Sequence, residues 1–164
     1  MGNMALRSPV VTILVLSSAM LTGARASQDD SSRRLTPAEI AALVQGGPGA
    51  GSSGVAGIRT AILAGDPTKP GLYTIKLSVP AHTRIEAHRH GDDRSATVVS
   101  GTWYLGYGPG FESKALKALP PGSFYTEPPG RMHFAQTGAE AVVVYITGYG
   151  PTDTTYEPPP ASRQ

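Results

Sequence analysis

Short stretches of alternating apolar and polar residues, each closed by glycine or proline, constrain the fold of this chain most strongly. Regularly spaced segments of this kind are typical of β-strands in a barrel or jelly roll. The 20 glycines and 15 prolines among 164 residues suit many tight turns. We therefore predict an all-β jelly-roll barrel of six to eight strands. The predicted strands cover residues 58–63, 72–79, 85–90, 96–99, 102–107, 123–127, 133–136 and 141–147.

Two of these predicted strands are separated by only two residues, Ser100 and Gly101. Residues 96–99 and 102–107 are therefore predicted to form a hairpin. The last stretch, 141–147, is almost continuously apolar, which indicates a strand buried in the core.

Three of the four histidines lie in two of the predicted strands. His88 and His90 are two residues apart, so on an extended strand both side chains point to the same face and can reach one ion. In the second stretch, residues 122–133, a Pro-Pro-Gly turn leads to a third histidine, His133. Three neutral imidazoles with an open coordination position suit Zn, Fe, Ni or Cu.

These two stretches resemble the two sequence motifs of the cupin superfamily, over roughly residues 55–158. The resemblance implies a small single-domain cupin-type jelly-roll β-barrel with a short N-terminal helix. It implies one divalent metal ion (Fe, Mn, Zn or Ni) held by the three histidines, and a small-molecule ligand or substrate. Small cupins often pair through their barrel edges, so a homodimer is a further expectation. The residues in register with the motifs are His88, His90, Gly101, Gly122, Pro128, Gly130 and His133.

The chain departs from these motifs at three positions. The glutamate that is commonly a fourth metal ligand in cupins falls on Arg94, the leading glycine on His82 and the final asparagine on Thr137. An arginine cannot ligate a cation and repels it at short range. Either Asp93 substitutes after a local backbone shift, or the site has three histidines and is completed by water or substrate.

Arg94 has two interpretations. It can be a surface residue bonded to Asp92 or Asp93. If it takes the place of the motif glutamate it points inward, where a buried cation needs a partner. That partner would be an anionic ligand such as a carboxylate, held bidentately, or else Glu127 or Glu86, which would mark a decayed site.

Tyr125 is the second candidate for a catalytic role, together with Arg94. Core packing is the default for a tyrosine on a barrel strand, but a phenol near the metal can orient substrate or act as an acid. Tyr104 is the alternative tyrosine. Glu127, one residue before the Pro-Pro turn, is a candidate fourth ligand or general base.

The N-terminal 26 residues have the pattern of a secretory signal peptide. Arg7 is followed by the apolar run 10–21, too short to span a bilayer comfortably, and by the small-x-small sequence at 24–26. We expect cleavage, export to the periplasm or the cell exterior, and no stable membrane anchor afterwards.

The remaining chain divides into three parts. Residues 27–54 are predicted to be a flexible linker containing a short helix at 37–45, which begins with a capping box from Thr36 to Glu39. The cupin barrel domain is expected at 55–158, and a disordered tail at 159–164.

Charge and cysteine content exclude several classes of function. The net charge is +2, but residues 1–26 hold two of the 14 basic residues and no acid, so 12 basic residues balance 12 acidic ones in the rest. The balance therefore gives no indication of nucleic-acid binding. With no cysteine there is no disulfide, thiolate ligand or cysteine nucleophile. The sequence also lacks a nucleophile elbow, a phosphate loop and a dinucleotide fingerprint.

Two functions follow from the motifs. The first is a metal-dependent enzyme of dioxygenase, isomerase or lyase type that acts on a small molecule, and on an acidic one if Arg94 points inward and binds it. The alternative is a non-catalytic cupin that binds a small ligand or a metal. The three histidines favour the first, and Arg94 at the glutamate position favours the second.

Overall fold

The computed structural model describes residues 32–156 together with Met1. The predicted signal peptide, except Met1, and the predicted tail lie outside the described residues. The elements in chain order are α1 (Pro37–Ala42), β1 (Arg59–Ala64), β2 (Gly71–Val79), β3 (Arg84–Arg89), β4 (Arg94–Ser100), β5 (Trp103–Tyr107), a 3₁₀ turn (Ser113–Ala115), β6 (Lys117–Leu119), β7 (Phe124–Glu127), β8 (His133–Thr137), β9 (Val142–Gly150) and β10 (Thr155–Tyr156).

The strands of the described residues form two antiparallel sheets of five strands each. One has the order β1-β2-β9-β4-β7, and the other has the order β10-β3-β8-β5-β6. Neighbours within a sheet are mostly distant in sequence, as in a jelly roll. This confirms the all-β jelly-roll prediction. The ten strands exceed the predicted six to eight because β6 and β10, of three and two residues, are too short to show a period.

The hydrophobic core lies between the two sheets. On the first sheet, inward side chains of β2 and β9 meet in register, as with Ile75 opposite Ile146. From the facing sheet, Trp103, Leu105 and Ala135 join the same cluster. Burying a large apolar side chain stabilises a fold by about 1.5–3 kcal/mol, so this layer provides the rigid frame for the polar groups at one end.

The predicted hairpin between β4 and β5 is wrong, because the two strands belong to different sheets. The chain crosses from one sheet to the other at Gly101, where φ is +70°. A Cβ at Gly101 would lie 2.4 Å from the carbonyl oxygen of Ala141, so the crossing requires glycine. Alternation of apolar and polar residues shows which side of a strand is buried. It is the same whether two successive strands form a hairpin or belong to different sheets, so it could not distinguish the two arrangements.

The helix α1 begins at the predicted capping box. The Thr36 hydroxyl accepts the N–H of Glu39, and the Glu39 carboxylate accepts the N–H of Thr36 at 2.7 Å. The helix ends at Ala42, not at residue 45 as predicted, because the chain becomes extended and Gly46 exchanges two backbone hydrogen bonds with Thr60 of β1. Among the described residues, no helix has the length and apolar character needed to cross a membrane.

Candidate metal centre

Three buried histidines from neighbouring strands of the second sheet come together at one end of the barrel. His88 lies on β3 directly opposite His133 on β8, and His90 follows the last residue of β3. Each offers a ring nitrogen within 4.8 Å of the others, and none is more than 4% exposed. The structure therefore brings together the three residues that the sequence selected as metal ligands.

A shift in strand register places His88 on the inner face. Ile85 is opposite Ala135, whereas His88 is opposite His133, so β3 contains one residue more than β8 over this stretch. Such a bulge changes which residues of a strand face inward. Ile85, His88 and His90 are all buried as a result, whereas strict alternation from Ile85 would have turned both histidines outward.

Backbone carbonyls fix the orientation of all three imidazoles. The Nδ1 atom of His88 lies 2.8 Å from the carbonyl of Glu86, and that of His133 lies 3.0 Å from the carbonyl of Arg131. His90 Nδ1 makes the corresponding contact with the carbonyl of Asp153. A carbonyl oxygen only accepts, so each Nδ1 carries a proton, and in the neutral ring Nε2 keeps its lone pair. Metal-binding histidines are commonly held in this way.

The Nε2 atoms have the protonation state and surroundings that a metal ion requires. Burial, and then the neighbouring His133, lower the pKa of His88 to about 4. Burial, and then Arg94, lower the pKa of His90 to about 4. Within residues 32–156, the buried Nε2 atoms of His90 and His133 have no hydrogen-bond partner. Neutral, desolvated nitrogen donors without partners fit a transition-metal ion.

Glu127 lies beside the triad. Its Oε2 is 3.7 Å from His90 Nε2, and its Oε1 is 3.6 Å from His133 Nε2. Burial has the largest single effect and raises the pKa of this carboxyl, but the charge of Arg94, the neighbouring His133 and His90 and the hydrogen bond from Arg94 together outweigh it and lower the pKa to about 2. Glu127 is therefore a carboxylate, and it is a ligand candidate rather than a strong base.

Arg94 points inward, where it is 3% exposed, and pairs with Glu127 across β4 and β7. Its Nε donates to Glu127 Oε2 at 2.8 Å, its Nη2 donates to the same oxygen, and its Nη1 donates to the carbonyl of Gly51 at 2.9 Å. The sequence left several partners of Arg94 open, and in the structure its partner is Glu127. The partner of the guanidinium is a protein side chain, so the geometry does not reserve Arg94 for a carboxylate ligand.

Of the other described residues that the sequence singled out, only Tyr125 lines the cavity next to the triad. Tyr125 is buried on β7, and its burial raises the pKa of the phenol well above 10. Tyr104 lines a different groove, with Gly138. Asp93 is exposed, so the idea that it replaces the motif glutamate is wrong. His82 is exposed in its turn, with φ of +55°.

Residues 51–53, which we call the strap, lie beside the triad, and Gly51 and Ser53 line the same cavity as His88 and His133. All three strap carbonyls accept hydrogen bonds. The carbonyl of Gly51 accepts from Arg94 Nη1 at 2.9 Å, that of Ser52 from Thr154 Oγ1 at 2.7 Å, and that of Ser53 from Tyr156 Oη at 2.6 Å. Sequence reasoning placed these residues in a flexible linker and missed them, because glycine- and serine-rich composition is also typical of linkers. Nothing local in the sequence indicates their distant donors.

Between the strap, the triad and the core lies a small cavity. Its volume is about 20 Å³, which is room for roughly one or two water molecules. A larger ligand would require the strap or the neighbouring side chains to move. The residues that line its polar side are Gly51, Ser53, His88, Arg94, Trp103, Tyr125, Glu127 and His133.

Comparison with solved structures shows which fold this is. The polyketide cyclase RemF from Streptomyces resistomycificus matches with a TM-score of 0.57 at 16% identity, over 77% of this chain and 87% of that one. An RmlC-like cupin from Shewanella frigidimarina matches with a TM-score of 0.51 at 17% identity, over 66% and 85%. A cupin 2 conserved barrel domain protein from Rhodopseudomonas palustris matches with a TM-score of 0.51 at 13% identity, over 62% and 67%. The chain has the cupin fold. No family model and no curated protein matches the sequence.

This cupin fold carries a buried polar network that anchors the loop after His90. Tyr73 Oη donates to Asp92 Oδ2 at 2.6 Å, and Thr152 Oγ1 donates to Asp92 Oδ1 at 2.7 Å. The network needs Gly148, because a Cβ there would lie 2.6 Å from Tyr73 Oη and 2.7 Å from Asp92 Oδ2. The network thus links the chain beyond β9 to the segment that carries His90 and Arg94.

The network predicts a loss of stability at high pH. Burial, and then the bond to Asp92, raise the pKa of Tyr73 to about 12, against about 10 in an unfolded chain. Between these values the unfolded state loses its proton first, so the free energy of unfolding falls as pH rises. Urea unfolding from pH 9 to 12 should show a loss on the order of 2–3 kcal/mol that Tyr73→Phe lacks. Parallel profiles for the two proteins would contradict this assignment.

Proposed function

We propose that this protein binds one divalent transition-metal ion, Fe, Mn, Zn or Ni, through the Nε2 atoms of His88, His90 and His133. The observation that carries the proposal is the orientation of the three rings. Each Nδ1 is bonded to a backbone carbonyl, so the Nε2 of each neutral ring is the nitrogen left for an ion, and the three buried rings offer nitrogens within 4.8 Å of one another. Without an ion, desolvating these acceptors would be unfavourable.

Glu127 is the proposed fourth protein ligand. Donor atoms that share one ion at metal–ligand distances of about 2.1 Å lie roughly 3–4 Å apart, and the Glu127 oxygens lie 3.6 and 3.7 Å from two of the Nε2 atoms. In this proposal the acidic ligand of the cupin motif has moved from the position of Arg94 on β4 to the residue paired with it on the neighbouring strand β7. Arg94 holds the carboxylate in place as its hydrogen-bond partner.

The charges of the site favour an anionic ligand. Three neutral imidazoles contribute no charge, and Glu127 and Arg94 cancel, so a divalent ion would leave the buried site with a net charge of +2. In a water-poor interior, such a charge attracts an anion strongly. A bound divalent ion would supply Lewis-acid chemistry, by polarising an oxygen of the ligand. We therefore propose an enzyme of dioxygenase, isomerase or lyase type that acts on a small, acidic molecule.

Catalysis is compatible with this fold, since the structurally similar RemF is a polyketide cyclase. The second candidate function is a non-catalytic cupin that binds a metal ion or a small ligand. The cavity of about 20 Å³ favours it, because the enclosed space takes only a few heavy atoms while the strap is in place. Metal binding is common to both candidates and is tested first.

Elemental analysis of protein purified without chelator or affinity metal tests the metal site. We expect about one ion per chain in the wild type and less than about a tenth of that in the His88→Ala/His133→Ala variant, since two of its three imidazole ligands are gone. His82→Ala is the matched control, because His82 is exposed and outside the triad. Retention of the ion by the double variant would refute the assignment. So would a wild type that takes up none of the four metals.

A further inference from the structure

We propose that Ser53 contacts the exogenous ligand of the metal centre, donating a hydrogen bond from its Oγ to an anionic or oxygen-donor molecule. The inference rests on the proposed function and adds a residue that recognises the ligand. It does not concern the residues that hold the ion.

The first observation is an unsatisfied buried hydroxyl. Ser53 is 5% exposed, and within the described part of the chain its Oγ has no hydrogen-bond partner. Ser53 lines the same cavity as His88 and His133. A buried hydroxyl without a partner is unfavourable, and an acceptor group in this cavity would satisfy it.

The adjacent serine shows that the strap itself does not require this arrangement. Ser52 is 3% exposed, yet its Oγ accepts the N–H of Gly54 at 3.2 Å, and it does not line the cavity. The two adjacent serines, both buried, thus differ in two respects, their hydrogen bonding and their position relative to the cavity. The hydroxyl that borders the triad is the one left without a partner.

The fold places Ser53 close to the triad through its backbone. The Ser53 carbonyl accepts a hydrogen bond from Tyr156 Oη at 2.6 Å. Tyr156 pairs with His88 across β10 and β3, and the centroids of their rings are 5.2 Å apart. Ser53 is therefore tied to a side chain that packs directly on a proposed metal ligand.

The lining of the cavity indicates what kind of ligand it takes. Trp103 also lines the cavity, but its indole N–H interacts with the phenol of Tyr125, which lines the cavity too. The O–H of Ser53 has no such partner among the described residues, so it complements a ligand that accepts hydrogen bonds. The volume of about 20 Å³ restricts that ligand to roughly the size of one or two water molecules. A small anion meets both conditions.

The experiment uses Co²⁺ as the probe metal and azide as the probe anion. The full chain is loaded with Co²⁺ and titrated with azide, and the absorption spectrum of the cobalt reports binding. We expect Ser53→Ala to keep about one cobalt per chain and to raise the Kd for azide about tenfold, as the loss of one hydrogen bond does. Ser52→Ala should leave the Kd for azide within about twofold of the wild type.

Thermal unfolding of the metal-free proteins separates recognition from a structural role. Removing an unpartnered buried hydroxyl should leave the Tm of Ser53→Ala unchanged or higher. Equal azide affinity in the wild type and Ser53→Ala, with cobalt bound in both, would overturn the role of Ser53 alone. A variant with lower Tm and lower cobalt content would overturn it in favour of a structural role. If the wild type itself holds no cobalt, the proposed metal site fails, and this inference fails with it.

Discussion

Replacing Glu127 with glutamine is expected to lower the free energy of unfolding by about 3–5 kcal/mol, because the change leaves Arg94 as a buried cation without its counter-charge. Arg94 and Glu127 are 3% and 4% exposed, so water cannot take over the role of the carboxylate. The pair also lies between the two sheets and the strap, since Arg94 bonds to Gly51 as well. Urea unfolding of the metal-free protein measures the effect.

Two further variants give this prediction its controls. Thr126→Val, at an exposed position of the same strand, should change the free energy of unfolding by less than about 0.5 kcal/mol. The double variant Arg94→Met/Glu127→Leu removes both charges, and buried pairs replaced by apolar residues often keep or gain stability. We expect it to recover most of the loss while metal affinity stays low, because the proposed fourth ligand is missing. A Glu127→Gln protein within about 1 kcal/mol of the wild type would contradict the buried pair.

Loading the metal-free protein with its ion is expected to raise the free energy of unfolding by about 4 kcal/mol when the free ion is at a thousand times its Kd. For a chain of this size, that corresponds to a rise in Tm of roughly 10 °C. The physical reason is that only the folded state brings a ring nitrogen of each of His88, His90 and His133 within 4.8 Å of the others. Calorimetry with and without added metal measures the difference.

Single substitutions within the triad identify the source of that stabilisation. His133→Ala should lose nearly all of the increment, since it removes the ligand that lies directly opposite His88. His82→Ala, away from the triad, should keep it. An equal rise in Tm for His133→Ala and the wild type would mean that the ion binds elsewhere. In that case the orientation of the three rings would need another explanation.

The sequence alone predicted the strands and the three histidines because both depend on local spacing. Alternation with period two marks a half-buried strand wherever it occurs, and glycine and proline mark its ends. The same period puts His88 and His90 on one face. The shift in register within β3 lies before His88, so it turns both histidines inward and does not affect their spacing.

The tertiary structure decided the features that depend on partners far apart in the chain. Alternation assigns a face to a strand, but it does not say which sheet the strand joins, so β4 and β5 were assigned to one hairpin although they belong to two sheets. The sequence left the direction of Arg94 open between surface and interior, because its two partners, Glu127 and Gly51, are 33 and 43 residues away. Ser53 was assigned to a linker because the contact that fixes its position, with Tyr156, is with a residue 103 positions away. Hydrogen bonds and burial of this kind arise only when the sheets close on each other, and no local pattern records them.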